Sequence, residues 1–487
     1  MTELLQVPLI LRGQVIEDYA LEFGGRHGGV RFRTADVSAY TGQLTLDAPS
    51  QLADLYALSF ADIVDYLESL GKRLVLDDNP HLQAAFTLAC ATSGLSESIL
   101  RDRYQLLPNM FARQEIIDSA QIGCGIDFLE GWVEQTAHNR PGLVARVRAF
   151  GARAVHVVAG NLPDVSALTV LRNAITRSDC LIKTPSNDPL TAVALARTMI
   201  DMAPDHPLTR HVSVAYWKGG DAQVEDAIYD PRGVEKIVAW GGFNSIRHIT
   251  KYLQPGIDLI TLDPKLSGTI IGREAFDSDE TLRHVARRLA LDIGGWNQEG
   301  CVNARVIHVQ SGTDAEGIAC CERLARLTFE AMQQLPEHLS TPHKDFDPAL
   351  RDELDTLRMI DEGYTLVGGE ADEGAMIVSH DGLPVDFSRI LACRVGNLVP
   401  IDDIDTAVMS VNAYTQTIGI YPDSLKEAIR DRLAFQGAQR LVSLGGAITL
   451  NGGTQRQDGI EPLRRMCKWI TDESGDGHQI EQLALRE

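Results

Sequence analysis

The sequence predicts an α/β protein with two doubly wound domains and a helical N-terminal region, on three observations. Short β-branched runs alternate with helical segments from about residue 150, a second such series runs from about 265 to 440, and the first 135 or so residues carry helical periodicity instead. Strands alternating with helices favour mostly parallel sheets, because each helix crosses back over the sheet to begin the next strand.

In residues 1–135, LADLYALSFADIVDYLESLGKRL repeats apolar residues at three- and four-residue intervals with charges on the other face, as expected of a packing or oligomer-forming layer. Residues 136–264 read as the first α/β domain, through RAVHVVAGN, ALTVLRNAITRS, CLIKTPS, LTAVALARTMIDM, HVSVAYWKGG and EKIVAWGG. Residues 265–440 form the second, with strands at GTIIG, ARVIHV and RILACRVGNLVPI and a helix at DETLRHVARRLALDI. Residues 441–487 supply a short strand, a helix and a polar tail, expected to pack back on the first α/β domain.

Composition excludes several classes of function. With 487 residues, 44% of them hydrophobic, the chain can bury large cores. A formal charge of −22 repels phosphate backbones and anionic lipid, so nucleic acid and membrane surfaces are poor partners. The start, MTELLQVPLILRGQV, lacks the basic n-region of a signal peptide, and no run approaches the ~18 apolar residues of a membrane span. Eight cysteines are scattered without disulfide-scaffold or zinc-type spacing; reduced thiols in the cytoplasm and no metal site are expected.

Common catalytic motifs are absent: there is no G-x-G-x-x-G, P-loop, H-E-x-x-H or G-x-S-x-G. A thiol is then the best nucleophile, since thiolates attack carbonyls and form acyl-thioesters. Cys301 stands out in DIGGWNQEGCVNARVIHV, where a helical run ends in glycines, a polar loop presents the cysteine and a strand follows. Gly300 would let a carbonyl approach the neighbouring backbone N–H groups. Loop context alone leaves open a second reading, that Cys301 is a small buried hydrophobe.

Four segments, in order and at compatible spacing, resemble the aldehyde dehydrogenase superfamily. AGNLPDVS resembles its W-N-F-P element, which would make Asn161 the oxyanion donor. CLIKTPSNDPLTA resembles the strand ending in the lysine that meets the adenosine ribose, here Lys183. EKIVAWGGFNSI resembles the turn under the pyrophosphate, here Gly241 and Gly242. NQEGCVNARVIHV resembles the nucleophile loop, with one residue fewer between the cysteine and the arginine. SFADIVDYLESLGKRL, NPHLQAAF and DGIEPLRRMCKWI resemble the LuxC branch, the long-chain acyl reductases of bacterial bioluminescence. The resemblance implies an aldehyde dehydrogenase-like fold, with a nucleotide-binding domain at 136–264 and a catalytic domain at 265–440.

The departures from that pattern carry chemistry. Where aldehyde dehydrogenases have a water-activating glutamate, TLDPK has Thr261, so an acyl-enzyme would be spared hydrolysis. Three residues after the ribose lysine, Ser186 replaces the glutamate of NAD-preferring relatives; a neutral hydroxyl there, beside Lys183, favours NADPH over NADH. Near Cys393 and Arg394 the segment that would bind the nicotinamide ribose has no carboxylate. Glu299 and His156 lie near the motifs, and solvated surface positions are expected for both.

The resemblance implies NADPH-dependent reduction of an acyl-CoA or related thioester to the aldehyde through an acyl-Cys301 intermediate. Rival readings are a cysteine acyltransferase or thioesterase without redox chemistry, an aldehyde oxidiser that makes acid, and a non-catalytic relative. The resemblance also implies an acyl-protein synthetase or acyl carrier as partner, and a homo-oligomer.

Overall fold

The computed structural model describes residues 4–24, 30–136, 143–262, 265–360, 362–449 and 456–475. The chain divides into two compact units: residues 1–92, 104–263 and 451–487 form the first, and 93–103 with 264–450 the second.

The first unit is built on a seven-stranded sheet. Its strands are β1 (Leu9–Leu11), β2 (Gln14–Ile16), β3 (Arg153–Val157), β4 (Asp179–Lys183), β5 (Val212–Ala215), β6 (Lys236–Trp240) and β7 (Asp258–Leu262), in the order β7-β6-β3-β4-β5-β1-β2. The five from β3 to β7 are parallel, while β1 runs antiparallel to β5 and β2 to β1. From β3 the chain adds β4 and β5 on one side and then β6 and β7 on the other. The order therefore reverses between β3 and β6, the point outside the carboxyl ends of the strands at which open α/β sheets bind ligands. Helix α1 (Asp164–Thr176) follows β3, α2 (Thr191–Met202) follows β4 and α3 (Phe243–Ile249) follows β6. Val155, Val157, Leu181, Ala215, Ile237 and Ala239 pack into one core with Trp217 and Tyr229. A separate three-stranded antiparallel sheet joins Leu143–Phe150 to Val133–Thr136 on one side and Lys468–Gly475 on the other.

The second unit repeats the architecture with β8 (Leu266–Ile271), β9 (Ala304–Val309), β10 (Tyr364–Gly368), β11 (Ala375–Ser379), β12 (Val395–Pro400), β13 (Thr415–Tyr421) and β14 (Arg440–Ser443), in the order β10-β11-β12-β9-β8-β13-β14. Only β10 is antiparallel to its neighbour. Helix α4 (Asp279–Gly294) starts at Ser278, whose hydroxyl accepts the Thr281 N–H, and carries two acids in its first turn against the helix dipole. Its residues Leu282, Val285, Ala286, Leu289, Ala290 and Ile293 recur at helical spacing and bury against β9 and α5 (Ala315–Gln333), contributing to the unit's largest core.

His156 departs from the surface position expected of it. It lies on β3, where all five residues are buried because a parallel sheet is covered on both faces. It is 1% exposed, and its Nε2 sits 2.8 Å from the Asn173 amide nitrogen, a donor, so the ring is neutral. Burial depresses its pKa to about 3, Asn173 working against that shift and Arg172 with it. Because this value lies below that of an unfolded histidine, the group leaves stability unchanged above pH ~6.5. As pH falls from there towards about 3 the unfolded state takes the proton first, removing about 1.4 kcal/mol of stability per pH unit. In urea titrations between pH 6 and 4, His156→Leu should flatten the dependence of unfolding free energy on pH by about that amount.

Candidate active site

In the first unit, three candidate residues lie at the carboxyl ends of three adjacent parallel strands. Val157, at the end of β3, is in register with Lys183 on one side and Ala239 on the other, so the loops carrying Asn161, Lys183 and Gly241 leave the same sheet edge at the topological switch. Asn187 fastens two of these loops by donating from Nδ2 to the Gly160 carbonyl at 2.9 Å. A Cβ on Gly160 would come within 2.4 Å of the Asn187 side-chain oxygen, so only glycine fits before Asn161.

Lys183 is half-buried at this edge, with Nζ 5.9 Å from the Tyr216 ring centre and 5.4 Å from that of Trp217. Burial lowers its pKa to about 8, with Glu225 opposing the shift. An anion would recover the ammonium charge that burial disfavours. Ser186 is half-buried in the following turn. Gly242 caps α3, and a Cβ there would meet nothing within 4 Å, so the backbone is open to close approach. Thr261 lies half-buried on β7.

In the second unit, Cys301 sits on the loop that joins α4 to the amino end of β9, and the backbone of that loop is unusual. Trp296, Asn297 and Gln298 all hold left-handed φ values, of 51°, 51° and 65°. Such residues cost about 1–2 kcal/mol each and persist where the surroundings impose them. The Trp296 N–H donates to the Leu339 carbonyl at 2.7 Å, and the Arg103 guanidinium lies 4.8 Å over the indole. Asn297 Oδ1 accepts the Thr341 N–H at 2.8 Å, while its Nδ2 donates to the Thr341 hydroxyl at 3.1 Å. Gln298 grips the neighbouring strand β12 with both ends of its amide: Oε1 accepts the Val395 N–H at 2.9 Å, and Nε2 donates to the carbonyls of Val395 and Ala304.

Beyond the turn, Asn303 Oδ1 accepts the Gly300 N–H at 3.0 Å, and its Nδ2 reaches back to the Gly295 carbonyl at 2.9 Å. The Ser267 hydroxyl donates to the Cys301 carbonyl at 2.7 Å. Cys301 itself is half-buried.

Two guanidiniums lie within electrostatic reach of this thiol. Burial lowers the pKa of Arg305, and Cys301 and Glu299 push it back up; burial likewise lowers that of Arg440, opposed by Asp292 and Cys301.

Glu299, two residues before Cys301, keeps a 35% exposed side chain and is tied to a histidine. Its Oε1 lies 3.2 Å from Nε2 of His343, which is 3% exposed and sits against Cys393. Cys393 is buried, and the Arg394 guanidinium turns inward to donate to the Met332 carbonyl at 2.8 Å. Sequence reasoning missed His343, Gln298 and Asn303 as parts of this centre. The three amides around the cysteine in NQEGCVN were a usable signal, whereas His343 lies 42 positions away with none.

A family model described as acyl-CoA reductase (LuxC) matches residues 55–469. The long-chain acyl-protein thioester reductase of Photorhabdus luminescens is 31% identical over 343 residues, 70% of this chain and 68% of the relative. That of Vibrio harveyi is 26% identical over 477 residues, 96% and 93% of the two chains. Among solved structures, the NADP-dependent glyceraldehyde-3-phosphate dehydrogenase of Bacillus halodurans, complexed with NADP, superposes with a TM-score of 0.73 at 13% identity, covering 96% of this chain and 99% of that one. Aldehyde dehydrogenase 21 of Physcomitrella patens gives 0.73 at 13%, covering 98% and 99%. A polar loop that presents one cysteine, and a match spanning most of the sequence, lead to one assignment: this chain belongs to the acyl-CoA reductase (LuxC) family and has the aldehyde dehydrogenase fold.

Proposed function

We propose that this protein reduces an acyl thioester, carried on CoA or on a protein, to the aldehyde, with Cys301 holding the acyl group and NADPH as the reductant. The observation that carries the reading is Cys301 itself: a half-buried thiol on a loop fastened by Asn303 and Ser267. The names of its relatives, acyl-protein thioester reductases, support the thioester substrate.

The Cys301 thiolate attacks the thioester carbonyl, a new carbon–sulfur bond forms, and the donor thiol departs. The Gly300 N–H is taken by Asn303 and its Cα faces Asn303 and Trp296, so the oxyanion falls to the Cys301 backbone N–H and to Asn161, the latter assigned by its resemblance to the W-N-F-P element. Bound NADPH would supply hydride to the thioester carbon. The resulting thiohemiacetal collapses, frees the aldehyde and returns Cys301 to the thiolate. Thr261, on the strand where related enzymes place a base, offers no carboxylate to activate water.

The carboxyl edge of the first unit fits a nicotinamide dinucleotide. Its strand order reverses beside Asn161, Lys183 is a desolvated cation there, and Gly242 in the Gly241–Gly242 turn leaves room for phosphate oxygens. The neutral Ser186 would tolerate a 2′-phosphate and Lys183 would pair with it. An acyl-protein synthetase or acyl carrier as partner, a homo-oligomer and a cytoplasmic setting complete the proposal, on family resemblance.

Two outcomes follow. Cys301→Ala should lose both labelling by an acyl donor and NADPH-dependent aldehyde formation; retained labelling would overturn the assignment. Lys183→Ala should weaken NADPH binding by about ten- to a hundredfold, the worth of one charge-assisted hydrogen bond, and NADH binding by less. Fluorescence titration with both cofactors checks this.

A further inference from the structure

An acyl-cysteine that waits for hydride must survive nearby water, and Glu299 is a carboxylate two residues from Cys301 with a side chain 35% exposed. A carboxylate so placed could take a proton from water. The oxygen would then attack the acyl carbon, the carbon–sulfur bond would break, and acid would leave with Cys301 regenerated. That reaction discards the acyl group without using a reductant.

We propose that His343 suppresses this hydrolysis by occupying Glu299, so that His343 is a positioning residue that directs the acyl-enzyme to reduction. The inference rests on the reading of Cys301 as the acyl carrier. Its geometry is specific. The Asp345 N–H points at Nδ1 of His343 from 3.2 Å, which leaves the ring proton on Nε2, and Nε2 faces Glu299 Oε1 at 3.2 Å. The bond therefore runs from imidazole to carboxylate. A carboxylate that accepts an N–H is stabilised in its ionised form and is a weaker base towards water.

The ring cannot swing clear of Glu299 easily. His343 is 3% exposed, and Gly94 closes over the pair: a Cβ on Gly94 would come within 2.8 Å of His343 Cε1 and 3.3 Å of Glu299 Oε1. Cys393 packs on the same imidazole.

The test follows the acyl-enzyme by intact mass after mixing the full-length protein with an acyl-CoA in the absence of NADPH. In His343→Gln the acyl group on Cys301 should be lost to acid at least ten times faster than in the unmodified enzyme, and with NADPH present the ratio of acid to aldehyde should rise. The double variant His343→Gln/Glu299→Gln should return to the slow rate, because the freed base is gone. Gly94→Ala displaces the imidazole without removing it; it should raise hydrolysis to an intermediate rate and serves if His343→Gln fails to fold. Unchanged hydrolysis in both single variants would overturn the inference, as would fast hydrolysis that persists in the double variant. Failure of the unmodified enzyme to acylate at Cys301 would instead overturn the function on which the inference stands.

Discussion

The left-handed turn Trp296–Gln298 is the constraint on which the reactive centre depends. None of its residues is glycine, so the conformation costs energy at every position, and the backbone would relax if it were released. It is held from three sides: the segment at Leu339–Thr341 takes Trp296 and Asn297, the start of β12 takes Gln298, and the first residues of β9 close the loop through Asn303. The strain is thus offset by buried amide bonds, each costly to leave unmade, and Cys301 inherits a fixed position. Fixing the loop in advance removes from the chemical step much of the entropy of aligning a thiol with a carbonyl.

Each unit places its chemistry at one edge of a parallel sheet. In the first, the carboxyl ends of β3, β4 and β6 bring Asn161, Lys183 and the Gly241–Gly242 turn to the point where strand order reverses. In the second, the amino ends of β9 and β12 put the Cys301 loop beside Cys393, tied across by Gln298. Each edge carries cations beside carboxylates, Lys183 with Glu225 in one and Arg305 and Arg440 with Glu299 and Asp292 in the other, in a chain whose formal charge is −22. Such local cations can meet an anionic group where the surface as a whole would repel it.

Much of this was legible in the sequence. Alternating strand and helix runs announce two parallel sheets, and the glycine-ended helix before NQEGCVN marks a loop that presents a cysteine. What was not legible came from long-range contact. His343 meets Glu299 from 44 positions away, and Gln298 meets Val395 from 97, with no periodicity to mark either pair. The burial of His156 escaped for another reason: a strand covered on both faces loses the alternation that separates inside from outside, so a polar residue in it reads as exposed. The turn at Trp296–Gln298 was hidden because left-handed backbone is signalled by glycine, and here tertiary bonds impose it on three other residues.

The central claim is that one sulfur carries the acyl group between donor and hydride. Its most direct test is a chase on isolated acyl-enzyme: load the protein with an acyl-CoA, remove the excess, map the adduct by peptide mass, then add NADPH and follow the fate of the acyl group. A single adduct is expected on the peptide containing Cys301, stable until NADPH is added and then released as aldehyde. An adduct on another residue, or release as acid at the same rate with and without NADPH, would contradict it.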